Sequence, residues 1–418
     1  MAETADVLGF NLVMIRRRHQ AFQRAHDLLV TLQKAKPALL GSEPIRPHQL
    51  EPLLLLQALL IKEITRTERK IRRSKSFLKQ VESEAEGEAV NLIEERIEQY
   101  RHLAYSWRCF GDAIAFLFLE KFSLKQTYFN TTNSNVKQGA GFIGDKTGFV
   151  GEWSALNVLL KNGIPALLTD LTNTIRHGDI CTLFGPDPNL IEIKLGKIDS
   201  RGRRQKKSIE ELAKFFETDS ADKLRGFDNL RRVEHLTEEV VYADVMNDCI
   251  AAAEKSGTAQ RSPETGLHYM AFKENSDVEN AFDGLRLIEP IVFQLNEAKA
   301  NRSWSPYYPF TLSITHGDTL YDFIWDSIYL VVIYDRSSLR ELSKLEGYDI
   351  TFEDPDSDLA FSITRLADGA TVGVGRHMFH RIAFDFSSPA WLFRTAVEKM
   401  DYIDTNGAAG AAIAETDL

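Results

Sequence analysis

The chain has little of what several common protein classes need. Three cysteines in 418 residues, Cys109, Cys181 and Cys249, are odd in number and far apart. That excludes a disulfide framework and points to a reducing, cytoplasmic setting. Hydrophobic runs are short. The longest apolar cluster, residues 113–119, cannot span a bilayer, so no membrane partner is expected. Residues 1–11 lack a basic segment followed by an apolar run, and no signal peptide is expected. There is no excess of positive charge: the formal net charge is -10, so any nucleic-acid surface must be local. The phosphate-binding glycine loop, the Gly-x-Ser-x-Gly elbow and a Cys-His pair at catalytic spacing are all missing. Zinc is disfavoured because His177 and Cys181 stand singly.

What is there concentrates between residues 151 and 207. Gly185-Pro186-Asp187-Pro188-Asn189 marks a turn, and residues 190–195 alternate in polarity as the second strand of a hairpin does. Side chains two apart in a strand share a face, so Glu192 and Lys194 project together while Ile191, Ile193 and Leu195 face a core. Residues 180–184 read as the partner strand with Asp179 at its start. The hairpin brings Asp179 near Glu192. Two carboxylates that close need a neutralising cation. Oxygen ligands alone select a hard ion, Mg2+ or Mn2+. The expected ligands are Asp179, Glu192 and the backbone carbonyl of Ile193. Glu152, in the first turn of an upstream helix, would bind the metal through water or complete a second metal site. A metal so held polarises a phosphate and activates a water. Lys194 would orient that water or stabilise developing charge.

The order of a helical Glu152, then Asp179, then Glu192-Ile193-Lys194 resembles the PD-(D/E)XK nuclease superfamily, the restriction-endonuclease and Holliday-resolvase-like fold. The resemblance covers about residues 150–220, and Gly178 stands where the family name has Pro. It implies an α/β (α+β) fold with a restriction-endonuclease-like mixed sheet flanked by helices. It also implies a metal-dependent endonuclease acting on nucleic acid, DNA foremost, in restriction, repair or antiviral defence. The alternative from another class is an inactive nuclease-like module that binds nucleic acid or drives assembly.

The basic run Arg201, Arg203, Arg204, Gln205, Lys206 and Lys207 is expected to contact phosphate. It is read as preceding a helix that Ser208 opens with a Ser208–Glu211 capping box. A helix to about residue 36, ended by Pro37, keeps residues 16–19 on its wet side. A second helix starts near His48. Its rows Leu60, Thr67, Ser74, Val81 and Ile64, Ile71, Leu78 predict a coiled-coil-like hairpin with a returning stripe of Ile93, Ile97, Tyr100 and Trp107. Cations on this arm, among them Arg69 and Arg72, read better as a solvated face than as a phosphate surface. Residues 1–130 are expected to form an oligomerisation arm, residues 131–275 the nuclease core, residues 276–404 a strand-rich α/β region and residues 405–418 a disordered tail. A regulatory protein partner is also expected. Residues 130–148 read as a linker in preference to a flap over the site, residues 220–262 and 278–300 as helical, and Leu267–Phe272 as a fourth core strand. Strands are expected at 310–314, 328–334, 350–352, 359–363 and 380–386. Asp354, Asp356 and Asp358 mimic a calcium loop whose later positions fail, and His377 and His380 are expected on opposite faces of a strand.

Overall fold

The computed structural model describes residues 18–41, 44–81, 87–139, 141–194, 200–234, 237–276, 282, 284–406 and 413–416. The fold is mixed α/β, helical towards the N-terminus and strand-rich towards the C-terminus. The chain divides into two compact units, Met1–Asp228 and Asn229–Leu418.

The first unit starts with α1 (His19–Leu39), α2 (Glu51–Val81) and α3 (Gly87–Phe118). Helix α2 has no glycine, and its one proline, Pro52, sits in the first turn where the missing N–H does no harm. At 31 residues it is about 46 Å long. The heptad rows fold as read: Leu60, Ile64, Thr67 and Ile71 are buried, and Ile71 packs with Ile93, Ile97 and Tyr100 of the returning helix. Phe22 of α1 stacks on Trp107 at 3.9 Å between ring centroids. Two details of α1 differ from expectation. Pro37 lies inside the helix, and Arg18 is buried, not wet. Its guanidinium donates to Thr67 and pairs with Glu63 at 3.4 Å, which neutralises a charge that could not otherwise stay there.

From Leu103 on, helix α3 is buried at every residue but Arg108 because it enters the interior of the unit. After α4 (Lys121–Gln126) come α5 (Phe149–Lys161) and a three-stranded antiparallel sheet: β1 (Ala166–Leu168), β2 (Ile180–Thr182) and β3 (Asn189–Ile191), in the order β1-β2-β3. Leu168 pairs with Ile180, and Ile180 with Ile191. The free edge of β1 is closed by a side chain. The Gln57 amide of α2 donates to the Ala166 carbonyl at 2.9 Å and accepts from the Leu168 N–H at 3.0 Å. Helix α6 (Ser200–Thr218) follows the sheet.

Helix α3 touches the backbone beyond β1 at Gly111. A Cβ there would lie 1.9 Å from the Leu171 carbonyl oxygen, so no other residue fits. One residue on, the buried Asp112 carboxylate accepts from the backbone N–H of Asn173 and Thr174 and from the Asn173 side chain, at 2.8–2.9 Å. Burial pushes its pKa up to about 6, and these hydrogen bonds oppose that rise. The turn between β1 and β2 is thus fixed by a helix 60 residues upstream.

The sheet differs from the mixed, four-stranded expectation. The expected fourth strand, Leu267–Lys273, belongs to the second unit, in an antiparallel sheet with Thr258–Glu264, Ile328–Asp335 and Pro290–Gln294. Other elements there need correction too. Residues 220–262 hold strands Ser220–Leu224, Phe227–Glu234 and Thr258–Glu264, and among the described residues of this range only Ala243–Ser256 is helical. Residues 290–294 are a strand, and the helix expected across them is confined to Leu295–Ala300. Residues 277–281 and 283 lie outside the described set. Phe310–Ser313 and Arg376–Phe384 are helices, not strands. Both are short and of mixed polarity, and over so few residues periodicity does not separate strand from helix. His377 and His380 therefore face one way, both against the Tyr307 ring. The strands at Ile328–Asp335, Tyr348–Phe352 and Leu359–Arg365 match the reading, and Pro389–Asn406 is a helix. Of the expected disordered tail, Ile413–Thr416 is a strand parallel to Phe227–Glu234, and residues 407–412, 417 and 418 lie outside the described set. Among the described residues no helix is long and apolar enough to cross a membrane, and the three cysteines are buried thiols.

Two substitutions test this scaffold. Gln57→Ala strands a buried carbonyl and a buried N–H, and should cost about 2–4 kcal/mol of stability in chemical denaturation. Asp112→Ala strands two buried N–H groups and should cost a similar amount, about 2–4 kcal/mol, read the same way. Midpoints unchanged from the parent chain would show that these side chains do not brace the sheet.

Candidate metal and phosphodiester site

Four acids reach one cleft from four elements. Glu152 lies in the first turn of α5, where a carboxylate complements the helix dipole. It shares the buried face with Leu156 and Leu160 at four-residue intervals. Asp170 lies in the turn directly after β1. Asp179 precedes β2. Glu192 follows β3, which ends one residue earlier at Ile191.

Asp179 is held at both ends. Its backbone N–H donates to the Ile191 carbonyl at 2.8 Å, and its Oδ2 accepts from the Ile193 N–H at 2.8 Å. The residue before it has φ +71, the left-handed region that proline cannot enter. Glycine rather than proline at position 178 is therefore a requirement of this turn. The Ile193 amide, rather than its expected carbonyl, is the group seen to engage the site.

Glu192 and Lys194 come together, but not on the strand expected over residues 190–195: β3 ends at Ile191, and both residues lie beyond it. The Lys194 ammonium lies 2.5 Å from Glu192 Oε1. Glu192 Oε2 is buried without a hydrogen-bond partner. An orphaned carboxylate oxygen in a cleft of acids is what a bound cation would satisfy. Ile193 is half-buried, and residues 195–199 lie outside the described set, so the expected inward position of Leu195 does too.

The centre of the acidic group holds an ammonium. Lys146 Nζ lies 2.8 Å from Asp179 Oδ1, 2.8 Å from Asp170 Oδ2 and 3.0 Å from Glu152 Oε2. Burial works against the charge on Lys146, but Asp170 and Asp179 outweigh it and raise its pKa. Glu152 shows the opposite balance. Burial and the repulsion of its fellow carboxylates push it up to about 7, against the hydrogen bond from Lys146. Among the described residues no three acidic, histidine or cysteine side chains close on one another as a ready metal cage. The carboxylates close on Lys146 instead. All four acids still present oxygen to one cleft, the donor set that a hard divalent ion takes.

The segment bearing Lys146 is part of the site and not a linker. Its backbone is tied to the helical hairpin. The Glu68 carboxylate, fully buried on α2, accepts from the N–H groups of Ile143 and Gly144, both at 3.2 Å. Arg72 pairs with Asp145 at 2.6 Å. Arg108 of α3 joins the two sides, donating to Glu68 at 3.1 Å and to the Asp170 carbonyl at 3.0 Å. Burial raises the Glu68 pKa, and Arg108 chiefly opposes it. Arg72, read as part of a solvated face, instead anchors this segment through Asp145.

The cleft measures about 1040 Å³ and lies wholly in the first unit. Lys137, Gln138 and Arg176 also line it. His177, beside them, is buried. Burial and Lys137 depress its pKa to about 4, and it bonds to Lys137 Nζ and the Phe129 carbonyl. Both ring nitrogens are thus engaged within the fold.

The basic run lies inside helix α6, in its first two turns, and not before the helix. Ser208 is consequently an interior residue and caps nothing. Gln205 and Gly202 line the cleft. Arg203, Arg204, Lys206 and Lys207 are exposed, and the last two pair within the helix with Glu210 and Glu211 at 3.6 and 3.7 Å. The side chain of Arg201 lies outside the described set.

Two residues of this cluster escape the motif. Asp170 carried one sequence signal, an acid at the end of a strand next to the hairpin. Lys146 carried none, because only the fold takes a lysine from a glycine-rich stretch into the middle of three acids. Comparison with protein-family models, curated proteins and solved structures gave no match, so the site's chemistry rests on its own geometry.

Proposed function

We propose that the chain is a divalent-metal-dependent nuclease of PD-(D/E)XK type, with DNA as its substrate. The convergence of Asp179, Glu192 and Lys194 carries this reading. Asp179 Oδ2 accepts from the peptide N–H between the other two residues, so the three groups share one patch although 13 positions separate the acids. Glu152 supplies a further carboxylate from the upstream helix, in the order the motif requires.

Asp179 and Glu192 would hold Mg2+ or Mn2+, and Glu152 would complete the set. The ion's contribution is Lewis acidity toward a phosphate oxygen and a lowered pKa for bound water. Lys194, already beside Glu192, would orient the attacking water and stabilise charge on the phosphate. Gln205, on the cleft wall, would touch the substrate strand, and the exposed Arg203 and Arg204 next to it would meet flanking phosphates.

One observation favours a second reading. Lys146 already neutralises three carboxylates, which a nuclease-like scaffold that binds without cutting would also do. Cleavage assays separate the two. Purified protein is incubated with linear and circular DNA and with RNA, in Mg2+, Mn2+ or chelator. The nuclease reading predicts metal-dependent product that falls about 1000-fold or more in Asp179→Asn and in Lys194→Ala, about 4 kcal/mol of transition-state stabilisation. Product formation undiminished in either variant contradicts the site. Nucleic-acid binding that survives chelation, with no product in any metal, selects the second reading.

The cations of α6 make a separate prediction. Replacing Arg203 and Arg204 with serine should weaken DNA binding and lower the slope of log affinity against log salt by about one to two. An unchanged slope would remove this helix from the phosphate track.

A further inference from the structure

We infer that Lys146 is an internal counter-ion that occupies the cation position of the site and must leave it before a divalent metal binds, with the helical hairpin setting how readily it leaves. This rests on the metal-site reading above and adds a control to it.

The argument is one of geometry and charge. Three carboxylate oxygens lie 2.8–3.0 Å from a single ammonium. Those oxygens come from α5, from the turn after β1 and from the residue before β2. No exposed ion pair needs three acids. Each is at most 14 % exposed in its side chain, and Lys146 itself is 30 % exposed. The ammonium thus enters from the cleft side, the side from which a metal would come. A divalent ion and an ammonium at the same oxygens exclude each other by size and by charge. Withdrawing Lys146 would leave three unneutralised acids, so the exchange is favourable only when a cation of higher charge arrives.

The lysine is carried by a segment with independent anchorage. Glycines at 139, 141, 144 and 148 flank it, while Glu68 and Arg72 of α2 hold residues 143–145. Glu68 touches neither the ammonium nor the cleft. It acts through the loop and is a positioning residue. Anything that shifts α2 against α3 would move the Glu68 carboxylate, because Arg108 of α3 shares it. A partner or oligomer contact on the hairpin thus has a mechanical route to the metal position.

The test uses the full chain, free of nucleic acid, with Mn2+ as the probe and calorimetric titration as the readout. Lys146→Met keeps a long side chain and removes the charge. It should bind Mn2+ about tenfold or more tightly than the parent. Glu68→Gln should shift affinity in the same direction by less. Equal or weaker Mn2+ binding by a folded Lys146→Met overturns the inference, and so does failure of both parent and variant to bind Mn2+. Should Lys146→Met not fold without metal, the parent chain still decides. Saturating Mn2+ should raise the acetylation of Lys146 by a lysine-reactive reagent, followed by mass spectrometry, and an unchanged rate overturns the inference. The nuclease reading fails differently, through Mn2+ bound with no phosphodiester cut.

Discussion

One ammonium organises the first unit of this protein. Lys146 Nζ lies among Glu152, Asp170 and Asp179, and these carboxylates could not stay buried together without it or a cation in its place. Each acid is delivered by a different element, and each element is held by something distant in sequence. Asp179 is fixed by the glycine turn and the Ile193 amide. Asp170 is fixed by Gly111, which lets α3 touch the Leu171 backbone, and by Arg108 on its own carbonyl. Glu152 rides the buried face of α5. The cluster is therefore a property of the whole unit.

The helices at the start of the chain are the frame of that unit. Gln57 finishes the sheet edge that three short strands leave open. Asp112 holds the connection between β1 and β2, and Glu68 holds the segment that carries Lys146. Each of these is a buried polar group with partners, and unmaking any one would leave a polar atom dry. A three-stranded sheet with strands of three residues could not stand by itself. Its support explains why a long helical hairpin accompanies so small a sheet.

Sequence reading recovered the part of the site that local rules encode. Glu192 and Lys194 pair although the strand that alternation predicted for them ends at Ile191, the turn residues brought Asp179 beside that strand, and heptad spacing found the seam of Leu60, Ile64 and Ile71. Three things were not legible. Lys146 and Asp170 enter the cluster through tertiary packing, which leaves no spacing to read. The basic stretch starting at Arg201 is helical from the outset, and a charged run with good helix formers does not reveal where its helix begins. Phe310–Ser313 is only four residues long, and Arg376–Phe384 mixes Arg376, His377, His380 and Arg381 with its apolar residues, so neither shows a period that separates strand from helix. The division at residue 130 fared differently again: Gln57, Glu68 and Asp112 bind the helices into the unit that holds the cleft, through side chains that any surface helix might carry.

The central claim is that these acids form a hard-cation site from which Lys146 is displaced. Anomalous diffraction from crystals grown with Mn2+ tests it most directly. The account predicts a manganese peak within coordination distance of Asp179 and Glu192 carboxylate oxygens, with the Lys146 ammonium moved out of the cluster. A cluster that keeps its ammonium at saturating Mn2+, with no peak in the cleft, would contradict it.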